Sequence, residues 1–277
     1  MKNFSLLLIP VLLITILVTN CNRKTTAKPS SERITKNATL ISYTKNKITL
    51  TELYSPEQFE NVTLEQTTAT SSMELLDNNK FNVNYKTTNY ELGKQSDMNG
   101  LKGCANSLKG QHIHCIVDNM PYNALYENNA TVDAVEDGMH MVLSFLSRSY
   151  HESIKNKNAY ALSTVITGKS RYVARYAAPD LTKPMLFFSR PKGEYKGGET
   201  DAVLLDFFLV NCDLSAKGYK VRAEINGTRF TLIKWAGYFM EGLPLGENTV
   251  KLTLLDKDNK EVESPYSSAE RKFVLSK

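Results

Sequence analysis

The chain has 277 residues, 42% of them hydrophobic and 23% charged, with a formal net charge of +5. That is the composition of a chain that buries a core, and the length suits one large domain or two small ones, not a disordered or fibrous protein. Lys and Arg form no dense block, which argues against nucleic acid as a partner.

The chain opens "MKNFSLLLIPVLLITILVTNC". Lys2 precedes an apolar run from Leu6 to Val18, short for crossing a bilayer and right for the core of a signal peptide. The run ends at Cys21. "LVTNC" resembles the lipobox of bacterial lipoproteins, whose signal is removed before a cysteine that then carries lipid; Asn20 stands where Gly, Ala or Ser is usual. The resemblance implies a signal peptide at 1–20, lipidation (palmitate among the acyl chains) at Cys21, and a body held to the cell envelope by its lipid. Asn22 follows the cysteine where an inner-membrane retention signal has Asp, and resemblance to other lipoproteins implies the outer membrane. An ordinary secretory signal or an uncleaved anchor is the other reading. Residues 21–60 begin Lys/Thr/Ser-rich and read as a tether, with weak alternation from Ile41 to Tyr54 predicting a short strand.

Beyond the tether the chain repeats itself. Shifted by 108 residues, "KGQHIHCIVDNMPYNAL" at Lys109 falls on "KGYKVRAEINGTRFTLI" at Lys217, so that Gly110 meets Gly218, Asp118 meets Asn226 and Tyr122 meets Phe230. The match runs on without a gap: Gly138 meets Gly246, Val142 meets Val250 and Leu146 meets Leu254. Upstream, "NYEL" at Asn89 matches "NCDL" at Asn211 with an offset of 122, so the first copy carries about 14 extra residues near "GKQSDMNGLKGCANSL". Each copy reads as β-structure. "DAVLLDFFLVN" alternates, "YKVRAEINGTRFTLIKW" is strand, Asn-Gly turn and strand, and "ENTVKLTLLDKDNKEV" is a strand followed by a turn. A helix is conceivable in "TVDAVEDGMHMVLSFLSRSY", although the repeat makes its second half a strand. The expected fold is all-β: two tandem immunoglobulin-like or cupredoxin-like β-sandwiches at 61–180 and 181–277, with the boundary near "AAPDLTKP".

All four histidines, His112, His114, His140 and His151, lie in the first copy. Their partners in the second are Lys220, Arg222, Asn248 and Asn259. A purely structural role would often survive in both copies, so four histidines confined to one suggest a shared site. His112 and His114 are two apart on a predicted strand, so both rings project from one face. By the repeat, that face is the polar one, expected toward solvent. Imidazoles at this spacing suit copper or zinc, with Met120, Met139 and Met141 as nearby soft donors for copper. The alternative is exposed strand residues or hydrogen-bond partners.

The remaining candidates are weaker. Cys104 and Cys115 are a candidate disulfide that would fasten the extra residues to the strand beneath; a buried free thiol is the alternative for each. Lys220, Arg222 and Arg190 are candidates for an anionic ligand or members of a solvated face. Trp235, the only tryptophan, reads as core more readily than as a sugar platform. His151 and Glu152 lack the helical H-E-x-x-H spacing, and no nucleophile elbow, P-loop or dinucleotide fingerprint is present.

The pattern His112, His114, Asp118, Gly138, His140, His151 resembles that of a small secreted bacterial β-domain of unknown function. The mature chain, including "FFSRPKGEYKGGE" and "EGLPLGENTVKLTLLDKD", also resembles Gram-negative lipoproteins labelled phosphopeptide-binding. "INGTRF" at Ile225 looks like the Asn-Gly-Thr of forkhead-associated domains, but the Gly-Arg and Ser-x-x-His that those domains also carry are missing. The sequence therefore predicts a membrane-anchored, non-catalytic binding protein with a His-based copper or zinc site. The rival is a metal-free module binding a protein, glycan or phosphorylated ligand. A metalloenzyme built on His112, His114 and His140 is a third reading, with no acid or base placed by motif.

Overall fold

A computed structural model describes residues 34–35, 38–55, 59–68, 75–76, 80–98, 101, 103–133, 136, 138–167 and 179–277. The signal segment, Cys21 and the first part of the tether lie outside them. The described residues hold twenty strands: β1 (Ile34–Thr35), β2 (Ala38–Thr39), β3 (Ser42–Lys45), β4 (Ile48–Glu52), β5 (Thr63–Gln66), β6 (Leu75–Leu76), β7 (Lys80–Thr88), β8 (His112–Val117), β9 (Asn123–Leu125), β10 (Asn129–Asp133), β11 (Gly138–Ser147), β12 (Tyr160–Thr167), β13 (Met185–Arg190), β14 (Gly193–Lys196), β15 (Val203–Val210), β16 (Lys220–Ile225), β17 (Thr228–Leu232), β18 (Tyr238–Glu241), β19 (Gly246–Leu255) and β20 (Ser268–Ser276). The segment that left room for a helix forms β10 and β11.

Two immunoglobulin-like sandwiches result. In the first, β10-β7-β5, with β6 also on β7, faces β12-β11-β8-β9. In the second, β13-β15-β18-β4-β3 faces β14-β20-β19-β16-β17. The duplication read from the sequence holds at the level of register. Val117 pairs with Val142 and Ile225 with Val250; Gly138 pairs with Thr167 and Gly246 with Leu275. Each pair is its counterpart shifted by the same 108 residues. Upstream of the insertion, Thr63 pairs with Thr88 and Met185 with Val210, the 122-residue offset. One difference concerns the tether. Ser42–Glu52 forms the β3–β4 hairpin, and β4 pairs with β18 at the edge of the second sandwich. Its "ITLTE" alternates, burying Ile48 and Leu50 in that sandwich's core.

The sandwiches are stacked face to face. Ile113, Cys115 and Val117 of β8 point into the first core with Phe81, Val83 and Val142. Ile116, Leu143 and Phe145 point the other way, against Met185, Phe187, Phe208 and Val210 of β13 and β15. Sheet β12-β11-β8-β9 is thus an inner layer, apolar on both faces, and so is the sheet of β13 and β15. Phe145 and Phe208 stack across the seam with centroids 4.6 Å apart. Burying such a ring stabilises by about 1.5–3 kcal/mol. The seam also carries a buried ion pair. Asp206 of β15, fully buried, accepts from Lys155 Nζ, from Ser153 Oγ at 3.0 Å and from Ser153 N at 3.3 Å.

Candidate functional site

The stacking overturns one expectation. His112 and His114 do share the face of β8 opposite the core, as the alternation predicts, but that face is covered by the second sandwich and both rings are 0% exposed. His151 reaches the same place from the turn after β11. His112 Nε2 lies 2.9 Å from His114 Nε2 and 3.1 Å from His151 Nδ1, and all three nitrogens are within 4.8 Å of one another. Tetrahedral zinc places two imidazole nitrogens about 3.3 Å apart, so the two His112 pairs are already near that spacing and seating an ion calls mainly for His114 and His151 to draw together.

The surroundings fix the rings. His112 Nδ1–H donates to Gly110 O at 2.8 Å, which leaves its Nε2 lone pair bare. Gly110 has φ +84°, and a Cβ there would meet Gly93 O at 2.2 Å, so only glycine can hold this carbonyl under His112. His114 Nδ1 is 3.1 Å from Ser189 Oγ on β13, across the seam. A backbone carbonyl and a hydroxyl behind two of three converging imidazoles are the outer partners that metal-binding histidines use. The His114 ring stacks on Tyr122 with centroids 3.5 Å apart, and the Tyr122 hydroxyl lies 3.2 Å from His151 Nδ1. Tyr126 packs on His112 and meets Ser107 Oγ at 2.7 Å, which ties the insertion of the first copy to the cluster.

All three imidazoles are held neutral. Burial lowers His112 to about 4, helped by the Arg190 and Lys192 charges and opposed by the Gly110 bond. Burial lowers His114 well below the usual histidine range, and the neighbouring histidines and the same two cations add to it. His151 is lowered by burial, then by Arg190, His112 and Lys192. Neutral imidazole is the form that binds metal.

His140 does not join them. It lies beyond the opposite end of β8, where its Nδ1 contacts Asp118 Oδ2 at 2.5 Å and its Nε2 contacts Thr167 Oγ1 at 3.0 Å. The Asp118 bond, with a smaller push from Glu136 O, outweighs burial and raises His140. The second copy explains it: Asn226 Nδ2 donates to Asn248 Oδ1 at 2.7 Å in the same place. Asp118 Oδ1 accepts from Met141 N, as Asn226 Oδ1 accepts from Thr249 N, both at 2.9 Å. His140 therefore locks a turn, as its counterpart does. The methionines do not supply sulfur to the cluster: Met139 and Met141 lie at the His140 end of β11, whereas His112 and His114 pair with Ser147 and Phe145 at its other end, and Met120 is exposed.

The disulfide is not formed. Cys115 points into the first core beside Tyr85, whereas Cys104 packs with Leu53, Leu101, Tyr150 and Leu204. Burial pushes the Cys104 thiol up to about 12 and the Cys115 thiol up to about 11. Lys220 is buried, its ammonium spent on Gly218 O and Lys257 O, and Arg222 is half-buried on the outer face of β16. Trp235 donates to Phe207 O at 3.0 Å and packs edge-on against Phe208, as core. A cavity of about 590 Å³ opens elsewhere on the seam. Its charges are largely satisfied by one another, through Arg148–Glu152, Lys155–Asp206 and Lys234–Glu52. Tyr122 was missed as a site residue, although a signal existed: the copy with histidines has Tyr where the other has Phe230.

No protein-family model matches the chain, and no curated protein does. Among solved structures it is similar to the fibronectin(III)-like modules of Clostridium thermocellum CbhA, at 10% identity over 77% of this chain and 94% of that one, with TM-score 0.27. It is also similar to the central fibronectin-III array of RIM-binding protein, at 11% identity over 79% of this chain and 64% of that one, with TM-score 0.24. A third is Bacteroides ovatus SGBP-B in complex with a mixed-linkage heptasaccharide, at 8% identity over 76% of this chain and 47% of that one, with TM-score 0.20. Scores this low say nothing about what the chain does.

Proposed function

We propose that this is an exported, lipid-anchored binding protein whose first sandwich holds one copper or zinc ion through His112 Nε2, His114 Nε2 and His151 Nδ1. The observation that carries the reading is the convergence of three neutral imidazole nitrogens within 4.8 Å of one another. Without an ion, His112 Nε2 is an acceptor facing two other ring nitrogens, and a single proton from His114 Nε2 fills that space. An ion would replace that proton, and His114 would then donate from Nδ1 to Ser189 Oγ. The Tyr122 hydroxyl, 3.2 Å from His151 Nδ1, is placed to be a fourth partner. An all-imidazole set suits either metal. We read the role as binding, not catalysis, because no carboxylate joins the three among the described residues to serve as base. Cys21 and the apolar run before it support the lipid anchor.

The test is calorimetric titration of the full chain with copper and with zinc, purified without a His tag, beside the His112→Ala/His114→Ala double variant. One ion per chain, lost in the variant, is the expected result. Binding no stronger than the variant's would overturn it and leave the metal-free interaction module.

A further inference from the structure

Three cations of the second sandwich converge on the β8–β9 turn of the first, beside the histidines. Lys192 Nζ lies 3.7 Å from the centroid of Tyr122, whose other face is taken by His114, and donates to Tyr122 O at 2.8 Å. Arg190 Cζ lies 5.4 Å from the same ring, and its Nη1 donates to Tyr195 OH at 3.0 Å. Arg271, on β20, donates from Nη2 to Asn119 O in the same turn. Only 8% of Arg190 is exposed.

Buried charge is tolerated when it is paired. Elsewhere on the seam it is: Lys155 meets Asp206 and Arg148 meets Glu152. Arg190, Lys192 and Arg271 form no ion pair with any acid among the described residues. Nε of Arg190 and Nε of Arg271 are buried N–H donors with no hydrogen-bond partner. Like charges gathered in a half-dry seam with donors unspent are unfavourable unless an anion completes them.

The repeat shows that the cluster is not part of the shared framework. At the two offsets, Arg190 corresponds to Thr68 and Arg271 to Ser163, both neutral. The cations are particular to the second copy as the histidines are to the first, and the two sets meet across the seam.

We propose that Arg190, Lys192 and Arg271 form a binding site for a small oxyanion, a phosphate or carboxylate group, at the seam beside His151 and Tyr122. Two guanidinium groups and an ammonium supply the charge-assisted donors that such a group takes. Tyr122 is common to both sites, so an anion here would lie next to the three histidines. The anion site does not depend on the metal reading and is tested with metal removed.

The experiment uses the full chain stripped of metal on a chelating resin, with no free chelator left, titrated with sodium phosphate, sodium acetate and sodium chloride at matched ionic strength, followed by calorimetry and thermal unfolding. Saturable binding of phosphate or acetate that chloride does not reproduce is expected, and the stronger of the two identifies the group. Lys192→Gln and Arg271→Gln, both at half-exposed positions, should each weaken it about tenfold, the equivalent of about 1.4 kcal/mol. Lys196→Gln, an exposed lysine paired with Glu194, should leave it unchanged. Arg190→Gln is secondary, since a buried change there can cost stability by itself. A response equal to that of chloride, or one that survives unchanged in both Lys192→Gln and Arg271→Gln, would overturn the proposal.

Discussion

His151 and Asn259 occupy the same turn position 108 residues apart, and both are left-handed, with φ of 70° and 62°. Each closes its turn through its backbone N–H, His151 to Arg148 O and Asn259 to Asp256 O. Asn tolerates this conformation, whereas most other side chains pay about 1–2 kcal/mol for it. The first copy carries histidine in a place suited to Asn and aims its ring at His112. His151→Asn should therefore keep the fold, cost about 1–2 kcal/mol for the lost ring contacts with His112 and Tyr122, and remove one of three ligands. Urea unfolding and metal titration on the same variant check this. Loss of metal binding together with loss of the fold would show that His151 is structural instead.

His140→Asn makes the complementary case. It places an amide where the second copy has Asn248, and that amide can donate to Asp118 as His140 does. Metal affinity should stay within about twofold of the parent, because His140 lies outside the cluster. A tenfold loss would mean that His140 reaches the ion after all.

Proton linkage separates the two histidine environments. Burial lowers His112 to about 4 from the usual 6.5. Between those pH values the unfolded chain binds a proton that the folded chain refuses. The stability tied to the neutral ring is complete above about pH 6.5 and is lost as pH falls toward 4, by about 3 kcal/mol if His112 acts alone. His114 and His151 are lowered too, so they act in the same direction. His140 runs the other way. Asp118 raises it, so its contribution is full below about pH 6.5 and is lost as pH rises through the raised value. Unfolding free energies of the metal-free chain from pH 4 to 8 should show both flanks. His112→Gln/His114→Gln/His151→Asn should flatten the acid flank, and His140→Asn the alkaline one. An acid flank that persists unchanged in the triple variant would contradict the buried neutral cluster.

The duplication was legible because register is a two-residue periodicity that survives divergence: Val142 and Val250 meet the same partners even where little else matches. The stacking was harder to see. On β8, His112 and His114 alternate with Ile113 and Cys115, which reads as a strand with one wet face, since a histidine under a second sheet looks like a histidine in water. The signal lay elsewhere, in "MLFFSR" and "VLLDFFLV", whose apolar runs, the second interrupted only by Asp206, mark strands buried on both faces. Read that way, Met185, Phe187 and Phe208 ask for a partner sheet, and the only polar-faced strands rich in histidine are in the first copy. Tyr122, Arg190 and Lys192 come together through tertiary contact, which no local pattern encodes.

Asp206 tests whether the seam holds the two sandwiches as one unit. Its carboxylate is fully buried in β15, and its partners Ser153 and Lys155 come from the turn after β11 in the other sandwich. Lys155 Nζ also donates to Ser153 Oγ at 2.6 Å, so the three groups form a closed set. Removing one member leaves the others buried and unpaired, which typically costs about 3–5 kcal/mol. Asp206→Ala should lower the unfolding free energy measured in urea by that amount. Lys155→Met should cost at least as much, because it strands the fully buried carboxylate, whereas the lysine left by the first change is the more exposed partner and can reach water. The double variant should cost clearly less than the sum of the two, since the second change removes the charge that the first one stranded. Additive losses would mean that the pair is not coupled and that apolar contacts such as Phe145 on Phe208 alone hold the seam.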